Sequence, residues 1–152
     1  MIIKGNAHWA KVIGPAQPTK FNPNGEWSID VSIDEATQKE LLKAGVNKDY
    51  FKDKGDDRGV FLTFKRNAKK NDGTPAKPFV IVDNKGKPWD DKKIGNGSVV
   101  NVKIALNERE FRGKKFLKPS ALAIQVWELV KYEGGFPVAD TDSAAPSSEE
   151  WN

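Results

Sequence analysis

The octapeptide Glu26–Ile33, EWSIDVSI, alternates without a break. Trp27, Ile29, Val31 and Ile33 take every second position, with Glu26, Ser28, Asp30 and Ser32 between them. Successive side chains of a β-strand point to opposite faces. This stretch therefore predicts a half-buried strand with four apolar groups on one side.

Reading outward, 34-DEATQKELLKAG-45 predicts a short helix. Asp34 caps its start, acids crowd the first turn, and Gly45 stops it. The β-branched and aromatic run 59-GVFLTFKR-66 predicts a strand with bulk on both faces: Val60, Leu62 and Phe64 on one, Phe61, Thr63 and Lys65 on the other. Short buried FVIVD (79–83) and alternating VVNVKIAL (99–106) are further strands, and the N-terminal IIKGNAHWAKVI is another with a bend near Gly5. SALAIQVWELV (120–130) fits a strand through Leu122, Ile124 and Val126, and a helix face through Leu122, Val126, Leu129 and Val130. The strand reading is preferred, because VVNVKIAL precedes it across NEREFRGKKFLKP (107–119), which suits a long hairpin arm. The connections NAKKNDGTPAKP, NKGK and KKIGNGS are polar and carry turn signals.

From Gly134 the chain turns to Gly, Pro, Ser, Ala and acid, too little apolar surface to repay ordering. The expected organisation is one domain over 1–133 and a disordered acidic tail over 134–152. Five to six strands with one short helix predict an all-β fold, a five-stranded Greek-key barrel of the OB type.

Composition bounds the chemistry. The chain of 152 residues is 38% hydrophobic, enough for one real core. It has no cysteine, which removes disulfides and thiolate metal sites and fits a reducing compartment. No apolar run approaches the roughly 20 residues needed to span a bilayer, and the start lacks a signal-peptide layout. A single histidine, His8, rules out a histidine triad or a multi-histidine metal site, and no cofactor is expected. Asp53–Gly59, DKGDDRG, lacks the calcium-loop ligand pattern, and Gly95–Gly97 lacks the lysine of a phosphate loop.

The formal charge of +4 conceals an asymmetry. Segment 134–152 holds Asp140, Asp142, Glu149 and Glu150 and no Lys or Arg, or −4; the body sets 25 basic residues against 17 acids, or +8. A basic body with an acidic end suggests a polyanionic partner. Single strands of nucleic acid are held by cations along the phosphates and by flat rings on which bases stack. Two stretches offer both. In FLTFKRNAKK, Phe61 and Lys65 share a face and Arg66, Lys69 and Lys70 continue into the loop; in REFRGKK, Arg109, Phe111, Arg112, Lys114 and Lys115 occupy the arm. Trp9 and Lys11 form a third element, with Trp9 open to a core or a stacking role. A different chemistry, a metal-dependent nuclease, would use Asp90, Asp91, Glu108 and Glu110. A third is an RNA-binding or protein-interaction barrel.

With these segments placed, the chain resembles the single-stranded-DNA-binding replication proteins of T7-like short-tailed bacteriophages. The likeness runs through FNPNGEWSIDVSI, FKRNA, VIVDNKGKPW followed by IGNGSVVNVKIAL, and SALAIQVWELVKYEGG. It implies an OB-fold, a non-enzymatic protein in the cytoplasm of an infected bacterial host, sequence-independent binding of single-stranded DNA, and a homodimer. It also implies an acidic tail that contacts the phage polymerase and helicase-primase, here Asp140, Asp142, Glu149, Glu150 and Trp151. Lys65 falls at the family's basic strand contact and 107–115 at its DNA-facing arm. The chain departs from the pattern at Arg109, where the family has an aromatic, in its shorter helix, and in ending Trp-Asn.

Overall fold

The computed structural model describes residues 1–70, 72–90 and 92–130. Along the chain come β1 (Ile2–Lys11), β2 (Glu26–Ser32), α1 (Glu35–Ala44), β3 (Lys52–Asp53), β4 (Val60–Asn67), β5 (Val80–Val82), β6 (Val99–Phe111) and β7 (Lys114–Glu128), with a 3₁₀ turn at Lys48–Tyr50. The strands form one sheet in the order β3-β4-β2-β1-β6-β7-β5. All neighbours are antiparallel except β5 and β7, which run parallel.

The alternation of β2 fixes which face is inside. Trp27, Ile29, Val31 and Ile33 are all buried, packed with Ile3, Ala7, Leu62, Phe64, Val100, Val102, Ile104, Ile124 and Val126. Each aliphatic side chain so buried contributes about 1.5–3 kcal/mol. The Trp27 indole N–H is satisfied by the Gly14 carbonyl at 2.9 Å. α1 begins where the Asp34 carboxylate accepts from the Thr37 amide at 2.8 Å. It ends at Gly45, whose φ of 109° closes the last turn in a conformation that favours glycine. The Gly45 carbonyl accepts from the Leu117 amide at 3.0 Å, which ties the helix end to the base of the arm.

Several expectations are corrected. The fold is mostly β with one α-helix, but the sheet has seven strands rather than five. β3, two residues long, was not expected; β5 lies within the expected strand 79–83, but it pairs parallel with a strand more than forty positions away, a partner that no local periodicity reveals. β1 runs unbroken through Gly5. A Cβ there would lie 2.0 Å from the Ser32 carbonyl oxygen, so glycine lets two strands approach. The irregularity is further on: His8 faces Asp30 and Lys11 faces Ser28, so β1 carries one extra residue, a β-bulge. β6 and β7 continue through the arm as a regular hairpin. Its two-residue turn, Arg112–Gly113, has φ of 53° and 79°, both positive as a type I′ turn requires.

The sheet does not close. Beyond Phe61, β4 finds no further partner on its β3 side among the described residues. Its edge faces the start of β7 across a cleft of about 220 Å³. Arg66 crosses this seam, donating to the Ala121 carbonyl at 3.2 Å and the Pro78 carbonyl at 3.4 Å, with its guanidinium 5.0 Å from the Phe79 ring centroid. The acidic end expected to be disordered, 134–152, lies outside the described residues.

Candidate nucleic-acid interface

The strand registers stack the polar face of β1, β2 and β4 into rows. Lys11 faces Ser28, which faces Lys65; His8 faces Asp30, which faces Thr63; Asn6 faces Ser32, which faces Phe61. With strands about 4.8 Å apart, Lys11 and Lys65 stand roughly 10 Å from each other on one face. Lys65 is largely exposed and keeps a loose 3.7 Å ion pair with Glu26.

The middle of this face is covered by one side chain, Arg58, which is 7% exposed. Its Nη1 donates to Asp30 Oδ2 at 2.7 Å, and Nε and Nη2 donate to the Asp56 carboxylate. Asp30 is also held by the Thr63 hydroxyl at 2.7 Å. The guanidinium carbon lies 4.1 Å from the Phe61 ring centroid and 3.8 Å from that of Trp9. These hydrogen bonds hold the Asp56 carboxyl at about 2, well under its ordinary 3.8. His8, beside them, has its pKa lowered, first by burial and then by the Arg58 charge, so it adds no cation to this face at neutral pH.

Trp9 is therefore not a core residue. It is 56% exposed. It sits at the bulge with φ of 47°, a conformation that costs a non-glycine residue of order 1–3 kcal/mol. Its amide donates to Asn96 Oδ1 at 2.8 Å, and the neighbouring Gly97 amide donates to the Ala7 carbonyl at 2.8 Å. The Gly95–Gly97 connection thus braces the bulge.

Phe61, expected as a stacking ring, is only 2% exposed. It does lie on the polar side with Thr63 and Lys65, but Arg58 covers it, so it offers no face to a base. Arg66, expected on phosphates, is engaged across the seam. Phe111 is 63% exposed near the hairpin tip, with the Arg112 guanidinium 5.0 Å from its ring centroid. Arg109, Arg112, Lys114 and Lys115 are exposed along the same arm, and Lys69 and Lys70 in the loop after β4. Arg109 donates to the Glu108 carbonyl at 3.0 Å.

The seam cleft links these parts. Lys65 and Lys52 line it from one side and Lys118, at the base of the arm, from the other, with Tyr50 between them. The Tyr50 ring lies 6.1 Å from that of Phe116 in the arm. Tyr50, Lys52 and Lys118 escaped the sequence reading because only the tertiary fold gathers them. Phe21 escaped it too, although an aromatic in Lys-Phe-Asn-Pro-Asn-Gly has little chance of reaching a core. It is 91% exposed, and its neighbour Asn22 donates to Asn67 Oδ1 at 2.9 Å at the end of β4. Asp91, Asp140, Asp142, Glu149, Glu150 and Trp151 lie outside the described residues. Among the described residues no three acidic or histidine side chains gather where a metal ion could sit, and Asp90 pairs with Lys92 at 3.6 Å. No described helix is long and apolar enough to cross a membrane.

No family model matches the chain, and no curated protein sequence is similar to it. Solved structures are similar. The gp2.5 single-stranded-DNA-binding protein of bacteriophage T7 superposes with a TM-score of 0.60 at 21% identity, over 92% of this chain and 97% of that one. The single-stranded-DNA-binding protein of bacteriophage Enc34, in its complex with single-stranded DNA, gives 0.56 at 12% identity over 88% and 89%. Its C-terminally truncated form gives 0.55 at 12% over 86% and 87%. At these identities the likeness is one of architecture: the chain is built on the OB-type fold that these phage proteins share.

Proposed function

We propose that this chain is a non-enzymatic single-stranded-DNA-binding protein of phage replication. The observation that carries the reading is the face of β1, β2 and β4. It sets an exposed, braced indole beside the Lys11–Ser28–Lys65 row, and the seam cleft leads from there to the arm. Cations within reach of one track and rings open to stacking are what an unpaired strand needs, and neither reads sequence. Lys11, Lys65, Lys69, Lys70, Arg109, Arg112, Lys114 and Lys115 neutralise phosphates in this reading, and Trp9 and Phe111 stack on bases. The similar phage proteins, one of them bound to single-stranded DNA, support the same assignment.

The acidic segment 134–152 acts in this proposal as a weak stand-in for phosphate on the basic body. Entering DNA displaces it, and Trp151 with its neighbouring acids then offers a replication enzyme an apolar anchor. The homodimer implied by the resemblance is part of the same proposal. The row Ile2–Lys103–Ala123–Val80 crosses the other half of the sheet with Ile2 and Val80 exposed, and this supports it.

Titration with single- and double-stranded oligonucleotides, followed by tryptophan fluorescence, tests the core of the reading. Preference for the unpaired strand and affinity falling steeply with salt are expected. Indifference to unpaired oligonucleotides at low ionic strength overturns it, and tighter binding of an equal-length RNA moves it to RNA. Removal of 134–152 is expected to hold or raise DNA affinity; weaker binding would rule out the competing tail.

A further inference from the structure

Arg58 presents a puzzle for a basic interface. It lies on the face where phosphates are proposed to run, yet Asp30 and Asp56 take its donors and it is almost wholly buried. It cannot serve as a phosphate contact without leaving two carboxylates unpaired. What it does touch is aromatic on both sides: Phe61 below at 4.1 Å and Trp9 above at 3.8 Å. A planar guanidinium stacks on ring faces and keeps its in-plane donors free for carboxylates, which an ammonium cannot do. Trp9 itself is held at a positive φ by the Asn96 side chain. Strain at an exposed aromatic persists only where the surroundings over-determine it.

We infer that Arg58 is a positioning residue: clamped by Asp30 and Asp56 and seated on Phe61, it fixes the Trp9 indole with its outer face presented as a base-stacking platform. This deepens the single-stranded-DNA reading and rests on it. The ligand at this point is one unpaired base of either purine or pyrimidine type, since any base has a π-face. Arg58 adds nothing to the phosphate count, and the ring is set before DNA arrives.

Arg58→Lys and Asp56→Asn, each alone and combined with Trp9→Ala, are titrated with oligothymidylate across a salt series. Arg58→Lys keeps the charge and loses the planar stack; it is expected to weaken binding about fivefold or more, close to Trp9→Ala, with the log–log salt slope unchanged. Combined with Trp9→Ala it is expected to cost little further. Asp56→Asn is the sharper variant, and it stands if Arg58→Lys fails to fold. It makes the face more positive, so simple electrostatics demands tighter binding, whereas loss of the clamp demands weaker binding. Fluorine spectra of fluorotryptophan-labelled protein, with the Trp9 signal assigned by Trp9→Phe, are expected to show a broader range of ring environments in both variants. Tighter binding by Asp56→Asn, a salt slope reduced by about 0.7 in a charge-removing variant, Arg58→Ala, titrated alongside, or losses that add fully to Trp9→Ala each overturn the inference. Wild-type protein that ignores unpaired DNA would instead sink the function itself, a separate outcome.

Discussion

Arg58-Gly59 and Arg112-Gly113 are the same dipeptide beside a phenylalanine, Phe61 in one case and Phe111 in the other. In both, the glycine takes a positive φ, 61° and 79°. At the first site the arginine folds back over the sheet, meets Asp30 from β2 and Asp56 from its own loop, and seals Phe61 beneath it. At the second, the pair is the tip of a hairpin. Arg112 is exposed and only rests near the Phe111 ring, and Glu110 faces Lys115 across the ladder. One arginine is an internal brace; the other is exposed and, among the described residues, pairs with no carboxylate. What separates them is whether carboxylates lie within reach: Arg58 has Asp56 in its own loop and Asp30 from β2, whereas Glu110, two positions before Arg112, faces Lys115 across the ladder.

The largest consequence concerns stability. Phe61→Ala removes a buried ring and unseats Arg58, and is expected to cost about 3–5 kcal/mol of unfolding free energy by urea denaturation. Phe111→Ala is expected to change stability by no more than about 0.5 kcal/mol. Equal midpoints for the two variants would erase the distinction between the sites.

The next effect is on affinity. Phe111→Ala is expected to lose about 1–3 kcal/mol of single-strand affinity at constant salt, measured by anisotropy of a labelled oligonucleotide. Folded Phe61→Ala protein loses affinity only as far as Trp9 is displaced. An unaltered affinity in Phe111→Ala would leave the arm as an electrostatic element alone.

The contrast also marks how far the sequence could be read. β2 and β6 were legible because a sheet with one face buried imposes period two, and Trp27, Ile29 and Val31 obey it; β7, whose apolar residues also fit a helix face, was legible only through its neighbour β6. The arm was legible as an arm, because Phe111 stands among charges on every side. Phe61 was assigned to the right face of β4, but periodicity cannot say what lies on top of that face. Its cover comes from a seven-residue stretch that reads as a plain acidic loop, and its partner Asp30 lies 28 positions from Arg58. β5 was legible as a strand within 79–83, but its parallel partner and the cleft were illegible for the same reason: parallel pairing and a gap between β4 and β7 are properties of the assembled sheet. Trp9 could not be assigned because a bulge, which redirects a side chain, follows from register with β2 and not from β1 alone.

A smaller effect separates free from engaged arginines in the salt response. Arg112→Gln is expected to reduce the log–log slope of affinity against salt by about 0.7, one phosphate's worth on a single strand. Arg66→Gln is expected to leave the slope unchanged and to lower stability instead, because that guanidinium spans the seam to Ala121 and Pro78. Should Arg66→Gln reduce the slope while Arg112→Gln does not, the roles are reversed.

The smallest effect is a pH dependence on the Arg58 side. His8 has a folded pKa below its ordinary 6.5, because burial and the Arg58 charge disfavour the imidazolium. Below pH 6.5 the unfolded chain takes up a proton that the folded chain refuses. The stability due to a neutral His8 is therefore whole above that pH and declines as pH falls toward the folded value. Asp56, held at about 2 against an ordinary 3.8, gives a second decline between those two values as its carboxylate protonates and releases Arg58. Melting temperature against pH is expected to show both declines. His8→Gln should abolish the upper one and leave the lower; Asp56→Asn should leave the upper and only shrink the lower, since hydrogen bonds also hold Asp34, Asp72 and Asp83 below their ordinary 3.8. Persistence of the upper decline in His8→Gln would mean that another group near Arg58 titrates there, and that the brace feels charges beyond the two carboxylates that clamp it.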